Sequence, residues 1–267
     1  MDAERQHQED LQRLRGFRLM DDDFMNACLD DNVEGTELIL RIILQKPDIK
    51  VTSAKTQKRL KNLSGRDVCL DVDAIDSSGK RYDIEVQRDN KGADRKRARY
   101  HSGMLDAHLL KPGDDYADLP ETYVIFITEH DVIGRNLPIY TIERVITNME
   151  QPFNDGEHII YVNGEDKDST TELGKLMHDF SCTNADDMYY DVLAKRVKYF
   201  KEDERGVEAM CKVMEDMREE AVERDRIDRT RSLLKIGKLT LEEISEAMQL
   251  SIEKVKEIAK ETKEVRY

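Results

Sequence analysis

At 267 residues the chain is long enough for one sizeable domain and a smaller appendage. A formal charge of −14 with 37% charged residues excludes a general affinity for polyanions, so any contact with nucleic acid has to come from a local patch. Four cysteines (Cys28, Cys69, Cys182, Cys211) without C-x-x-C spacing argue against a zinc site or a disulfide framework, and no apolar run approaches the ~20 residues that span a bilayer, so a cytoplasmic protein without membrane contact is expected.

In chain order, residues 1–16 read as a polar leader, poorly ordered or a frayed helix. Residues 32–46 carry Leu38, Ile39, Ile42 and Ile43 at helical spacing, and Pro47 follows as a stop. A short strand is expected over 49–54. Asp67–Ile75 and Arg81–Gln87 alternate in polarity around Asp-Ser-Ser-Gly-Lys (76–80), which is turn chemistry, and so predict a β-hairpin. A helix over 93–110 is closed by Lys111-Pro112-Gly113. The apolar runs 122–128 and 158–163 read as buried strands. The order helix, two or three strands, helix, strand predicts a mixed α/β fold. Residues 201–231 form a charged amphipathic helix with Val207, Met210, Cys211, Met214 and Met217 as its apolar stripe. Residues 232–267 are a small helical tail, with Thr240 and Glu243 as a capping box and Ser251 as a second N-cap.

The hairpin holds the chemistry. With a 76–80 loop, Ile75 pairs with Arg81, Asp73 faces Asp83, and Asp71 faces Glu85. Alternation then places these acids and Gln87 on one side, with Val68, Leu70, Val72, Ala74, Ile84 and Val86 on the other. Opposed carboxylates roughly 4.5–5.5 Å apart at Cβ repel each other. A hard divalent ion turns that cost into a binding site. Residues 88–99 follow with six basic residues against two acids. A carboxylate centre beside a cationic helix start suits a phosphodiester, whereas solvated acids beside a solvated helix start would be the purely structural alternative.

Asp71, then Glu85-x-Gln87, a basic helix and an apolar strand resemble the PD-(D/E)XK nuclease superfamily. The closer similarity is to the PD-(D/E)XK nuclease family transposases, related to the Rpn recombination-promoting nucleases. It is carried by DDDFMNACLDDNVEGTELILRIIL, GRDVCLDVDAIDSSGKRYDIEVQR, KRARYHSGMLDAH, LPETYVIFITEHDVIGRNLPIY, HIIYVNG and GKLMHDFSC, in order over most of residues 21–200. The resemblance implies a restriction-endonuclease-like αβββαβ core over 17–200 and a Mg²⁺-dependent DNA endonuclease linked to recombination or mobile DNA, with Mn²⁺ as a second fit. It implies that Asp71, Glu85 and the carbonyl of Val86 hold the metal, that Gln87 positions the attacking water, and that Glu37, with Glu34 as second choice, is the first-helix acid. Arg88, Lys96 and Arg99 would contact DNA phosphate. Many superfamily members have lysine where Gln87 stands, and glutamine orients water but supplies no positive charge. The competing reading is a degenerate nuclease fold that binds DNA or a partner protein without cutting.

Elsewhere the chain shows no Ser-His-Asp arrangement and no phosphate loop. His178 is expected to be structural. The tail resembles a helix-turn-helix, but its second helix alternates Glu253, Glu257 and Glu261 with Lys254, Lys256 and Lys260. A packing or homo-oligomerisation role fits that pattern better than base reading.

Overall fold

The computed structural model describes residues 3–62 and 65–264; residues 1–2 of the expected leader and 265–267 of the expected tail lie outside the described residues. Contacts divide the chain into a unit over residues 1–210 and a second over 211–267. The first begins with helices α1 (Ala3–Arg15), α2 (Asp22–Leu29) and α3 (Val33–Leu44). Strands β1 (Val51–Leu60), β2 (Val68–Asp76) and β3 (Arg81–Gln87), helix α4 (Arg95–Ala107) and strand β4 (Thr122–Thr128) follow. Next come β5 (Ile139–Ile142), β6 (Val145–Ile146), β7 (Gln151–Pro152) and β8 (Glu157–Asn163), then α5 (Glu172–Ser181) and α6 (Asp191–Glu202). The unit boundary falls within α7 (Glu204–Ile236), and α8 (Leu241–Met248) and α9 (Ile252–Glu264) end the described chain.

Six strands make the main sheet in the order β1-β2-β3-β4-β8-β5. The hairpin chemistry makes β1, β2 and β3 antiparallel, while β3, β4 and β8 run parallel, with α4 as the crossover between β3 and β4. The series α3-β1-β2-β3-α4-β4 is the expected αβββαβ core. The 158–163 run does add a strand, β8, and β5 pairs antiparallel to its far side. The β4 run is buried at every position, as a parallel strand covered on both faces requires.

The hairpin register matches expectation, with Ile75 opposite Arg81 and Asp73 opposite Asp83. Its turn is written by Asp76. One carboxylate oxygen accepts from the Ser78 and Lys80 N–H groups and the Ser78 hydroxyl, the other from the Tyr82 hydroxyl at 2.8 Å, and Gly79 supplies the positive φ of +85°.

Two local expectations change, and the leader takes the helical one of its two expected forms. Residues 3–15 form a helix with Leu14 buried, because its leucines fall on one face. Strand β1 runs ten residues rather than six, since pairing along β2 extends it beyond its own apolar pattern. Alternation on β2 also fails at Asp71. The β1–β2 ladder has a gap where Gln57, with φ +53°, stands opposite Asp71. Beyond it Val68 and Leu70 pack with Met104 and Leu105 of α4, the same helix whose residues 97 and 101 meet the acids of β3. One helix face thus covers both sets, so the two-residue side-chain period of β2 is lost between Leu70 and Asp73, the partner of Asp83.

In the second unit Gly237, with φ +66°, ends α7, and Thr240 and Glu243 close the expected capping box on α8. Ile244, Val255 and Ile258 are buried, and Arg231 pairs with Glu261.

Replacing Asp76 by alanine should lower unfolding free energy by about 2–3 kcal/mol in urea titrations. Although burial pushes its carboxyl up, the hydrogen bonds of Ser78, Tyr82 and Lys80 hold it below the ordinary value. The stability it contributes is therefore present above the unfolded-state pKa, about 4, and is lost as pH falls through the lower folded value. The gap between wild type and Asp76→Ala should close in acid.

Candidate active site

Past the Val72–Ile84 pair the two hairpin strands no longer exchange ladder bonds through their backbones alone. The Asp71 N–H donates to Glu85 Oε1 at 3.0 Å, and the Val86 N–H donates to Asp71 Oδ2 at 3.1 Å. Each acid thus bridges to the other strand. The N–H and C=O of one strand residue share an edge, so the Val86 carbonyl faces the same gap as its N–H. Asp71 and Glu85 are both buried. Burial pushes both carboxyls well above the ordinary range, and neighbouring charge adds to it: Glu85 and Asp22 on Asp71, Asp83 on Glu85.

The structure does not bring Glu37 to this pair. Its Oε2 accepts from the Val51 N–H at 2.9 Å and its Oε1 pairs with Arg41 at 2.5 Å, which ties α3 to the start of β1. The first-helix acid near Asp71 is Asp22, at the start of α2. Its carboxyl is raised by burial, then by Asp23, and its charge is felt at Asp71. The reason for the correction is the helix count: α2 precedes α3 and packs on β1 and β2. Asp22 lies inside the DDDFMN stretch, whose three successive acids do not reveal which one is felt at Asp71.

Arg97 was not among the expected site residues, yet it joins them. Its Nη2 donates to Glu85 Oε2 at 2.8 Å, and its Nη1 to the Gly92 carbonyl at 3.0 Å and to Gln87 Oε1 at 3.4 Å. Its Nε lies 3.3 Å from His101 Nε2, and His101 Nδ1 lies 3.0 Å from Asp83 Oδ2. Residues 97 and 101 share a helix face by their four-residue spacing, and Asp83 shares the β3 face with Glu85. Those two spacings were the available signals. Gly92 sits in the short 3-10 turn Asn90–Ala93, and a Cβ there would fall on Gln87 Oε1.

Beside this group opens a cleft of about 1220 Å³ lined by Arg66, Lys91, Lys96, Arg97 and Arg99, with Asp67 and Asp94 as its acids. Among the described residues no ion pair holds Lys91, Lys96 or Arg99. Arg88 lies apart: its guanidinium bonds Asp21 at 2.8 Å and Glu129 at 3.1 Å. The basic run therefore divides into a cleft lining and a structural pair.

The donors facing the gap are carboxylate and carbonyl oxygens, which are the hard ligands that Mg²⁺ and Mn²⁺ prefer. Two carboxyls pushed up by burial and by neighbouring acids fit a divalent cation. Asp83, Glu85 and His101 also lie within reach of one another, and so do His178, Asp179 and Cys182. In the second trio Asp179 already accepts from the Tyr189 and Tyr190 N–H groups, so its role is to cap a loop.

The raised carboxyls set a pH signature. A folded-state pKa above the unfolded value contributes stability below about pH 4, which is lost as pH rises through the folded value. In EDTA, Asp71→Asn should melt a few degrees above wild type, at about 2–4 °C per kcal/mol, with the difference wider at pH 8 than at pH 5. Added Mg²⁺ should raise the wild-type Tm and leave the variant unmoved. Equal melting of the two proteins at both pH values would contradict the buried-charge account.

The description PD-(D/E)XK nuclease family transposase belongs to a family model that matches residues 24–232, so both hairpin strands, α4 and the basic cleft fall within it. Neither the curated proteins nor the solved structures give a significant match to the chain. With the αβββαβ core in place and well over half of its length matched, the chain belongs to the PD-(D/E)XK nuclease family transposases.

Proposed function

We propose that this chain is a metal-dependent DNA endonuclease, with Asp71, Glu85 and the Val86 carbonyl holding a Mg²⁺ ion and Mn²⁺ fitting the same oxygens. The observation that carries this reading is the splayed hairpin end, where both acids are buried and Arg97 bonds Glu85 and Gln87 together. A bound divalent ion supplies Lewis-acid polarisation of the phosphate and a lowered pKa for a bound water.

The chain's own residues do the rest. Gln87 offers an amide to orient the attacking water. Arg97 places a fixed positive charge where the superfamily lysine would stand, which answers the main argument for a degenerate, non-cutting module. Asp22 replaces Glu37 as the acid contributed by the first helices. Lys96 and Arg99, with Lys91 and Arg66, line the cleft and neutralise the nucleic-acid backbone, while Arg88 braces the loop after β3. The setting we propose is cytoplasmic, in recombination or mobile-DNA processing, and among the described residues no helix is long and apolar enough to cross a membrane.

Nicking of supercoiled plasmid with Mg²⁺, Mn²⁺ or EDTA tests the reading. Wild type should cut with either ion and stop in EDTA. Asp71→Asn and Glu85→Gln should be inactive. Arg97→Ala should lose about 10²–10³-fold in rate, the range seen when one fixed charge-stabilising donor is removed. Lys96→Ala with Arg99→Ala should weaken binding and flatten its salt dependence by close to two phosphate contacts. A wild-type protein that cuts with neither ion, or an Asp71→Asn protein that cuts as fast as wild type, would overturn it. Gly92→Ala is a milder probe: by displacing Gln87 it should cost up to about 10²-fold in rate while circular dichroism stays native.

A further inference from the structure

We propose that Asp83 and His101 form a hydrogen-bond relay that positions Arg97 in the active site, a role that rests on the nuclease reading above. The argument starts from what an arginine can do. Its Nε carries a hydrogen and no lone pair, so in the 3.3 Å contact with His101 it can only donate. His101 Nε2 therefore offers its lone pair, and the ring proton sits on Nδ1. From there it is donated to Asp83 Oδ2 at 3.0 Å. The tautomer follows from the neighbours on both sides. It also removes Nδ1 as a metal donor, so the Asp83–Glu85–His101 trio is a hydrogen-bond chain rather than a second ion site.

Burial makes the chain rigid. Asp83 is wholly inaccessible and His101 nearly so, with the ring also tilted against Phe126, while Arg97 is 37% exposed at its side chain. The relay thus runs from the sheet interior to the cleft, and each link fixes the next. A free arginine side chain carries about 2 kcal/mol of rotamer entropy. Here Nε is held from within, so the two terminal nitrogens can only point at Glu85, Gln87 and the Gly92 carbonyl.

Asp83 is poorly explained by stability. Its Oδ1 makes no hydrogen bond, and the acid opposite it, Asp73, has an unbonded Oδ1 of its own while its Oδ2 pairs with Lys58 and Arg81. A buried carboxyl left half satisfied weakens a fold. Beside its neighbour Glu85, the group it bonds is His101, which points to function. Asp83 and His101 are positioning residues: His101 Nδ1 also lies 3.7 Å from Glu85 Oε1, but its hydrogen bond goes to Asp83, and the two act on the site through Arg97.

The test is a double-mutant cycle in the nicking assay, with His101→Leu, His101→Gln, Arg97→Ala and the His101→Leu/Arg97→Ala pair. His101→Leu should lower kcat by about 10–100-fold, as a misplaced catalytic group does, with KM for DNA within about twofold. His101→Gln should recover most of that loss, because its amide oxygen can accept from Arg97 and its amide nitrogen can donate to Asp83. In the Arg97→Ala background His101→Leu should add nothing further. Losses that multiply, or a glutamine variant as poor as leucine, would overturn the relay.

Imidazole ¹⁵N spectra of the wild-type protein give a readout free of catalysis and of variant folding. A proton on Nδ1 with a bare Nε2 supports the relay; a proton on Nε2 overturns it. A wild-type protein that cuts no DNA but shows the Nδ1–H tautomer would sink the nuclease reading and keep the Asp83–His101–Arg97 geometry.

Discussion

A carboxylate taken out of water needs a cation, a proton or a set of hydrogen bonds, and the end of one β-hairpin in this protein buries Asp71, Asp83 and Glu85 close together. The hairpin register makes that crowding unavoidable, because Asp73 opposite Asp83 brings Asp71 toward Glu85. The strands respond by parting. Side chains of Asp71 and Glu85 take the backbone hydrogen bonds that the ladder gives up, and Gln57 turns left-handed across from the opening. The gap, its oxygen donors and the elevated carboxyls are consequences of one electrostatic constraint.

The same residue type is used in an opposite way elsewhere in the fold. Asp76 accepts two backbone N–H groups and Asp131 three, and together with hydroxyl donors these outweigh burial and hold both carboxyls low. Asp179 accepts from the Tyr189 and Tyr190 N–H groups and so closes their loop. These acids build turns and are satisfied by them. The hairpin acids are short of partners, with unbonded oxygens left on Asp73 and Asp83. An under-satisfied buried carboxylate lowers stability, so these acids are poorly accounted for as scaffolding.

Charge placement completes the picture. The chain is strongly acidic, yet α4 carries its cations on two different errands. Lys96 and Arg99 stay exposed along the cleft, where a polyanion would lie, while Arg97 turns inward to Glu85 and Gln87. On the proposed nuclease reading the strand position of Gln87 need not itself carry positive charge, because Arg97 brings a guanidinium to it from the helix. Arginine suits that role: its planar fork serves several acceptors at once, which an ammonium on a flexible stem does less well.

Much of this was legible in the linear chain. The hairpin turn, its register, the pairing of Asp73 with Asp83, the buried strand 122–128 and the αβββαβ order all follow from local chemistry, since turn residues and two-residue periodicity act over a few positions. The cationic segment next to the hairpin acids is read from the chain directly, whereas Asp71, Glu85 and Gln87 were singled out from those acids by the family resemblance. Glu37, Arg88 and Arg97 could not be sorted that way. Glu37 and Asp22 both sit on early helices, and only packing shows that one caps β1 while the charge of the other is felt at Asp71. Six cations in twelve residues look alike until α4 docks on the sheet and turns Arg97 inward, leaves Lys96 and Arg99 outside, and lets Asp21 and Glu129 take Arg88. The sequence by itself determined the acids, the turn and the local charge, because these depend on neighbours along the chain. The tertiary structure alone decided which cation serves the site, because that depends on which helix face meets the sheet.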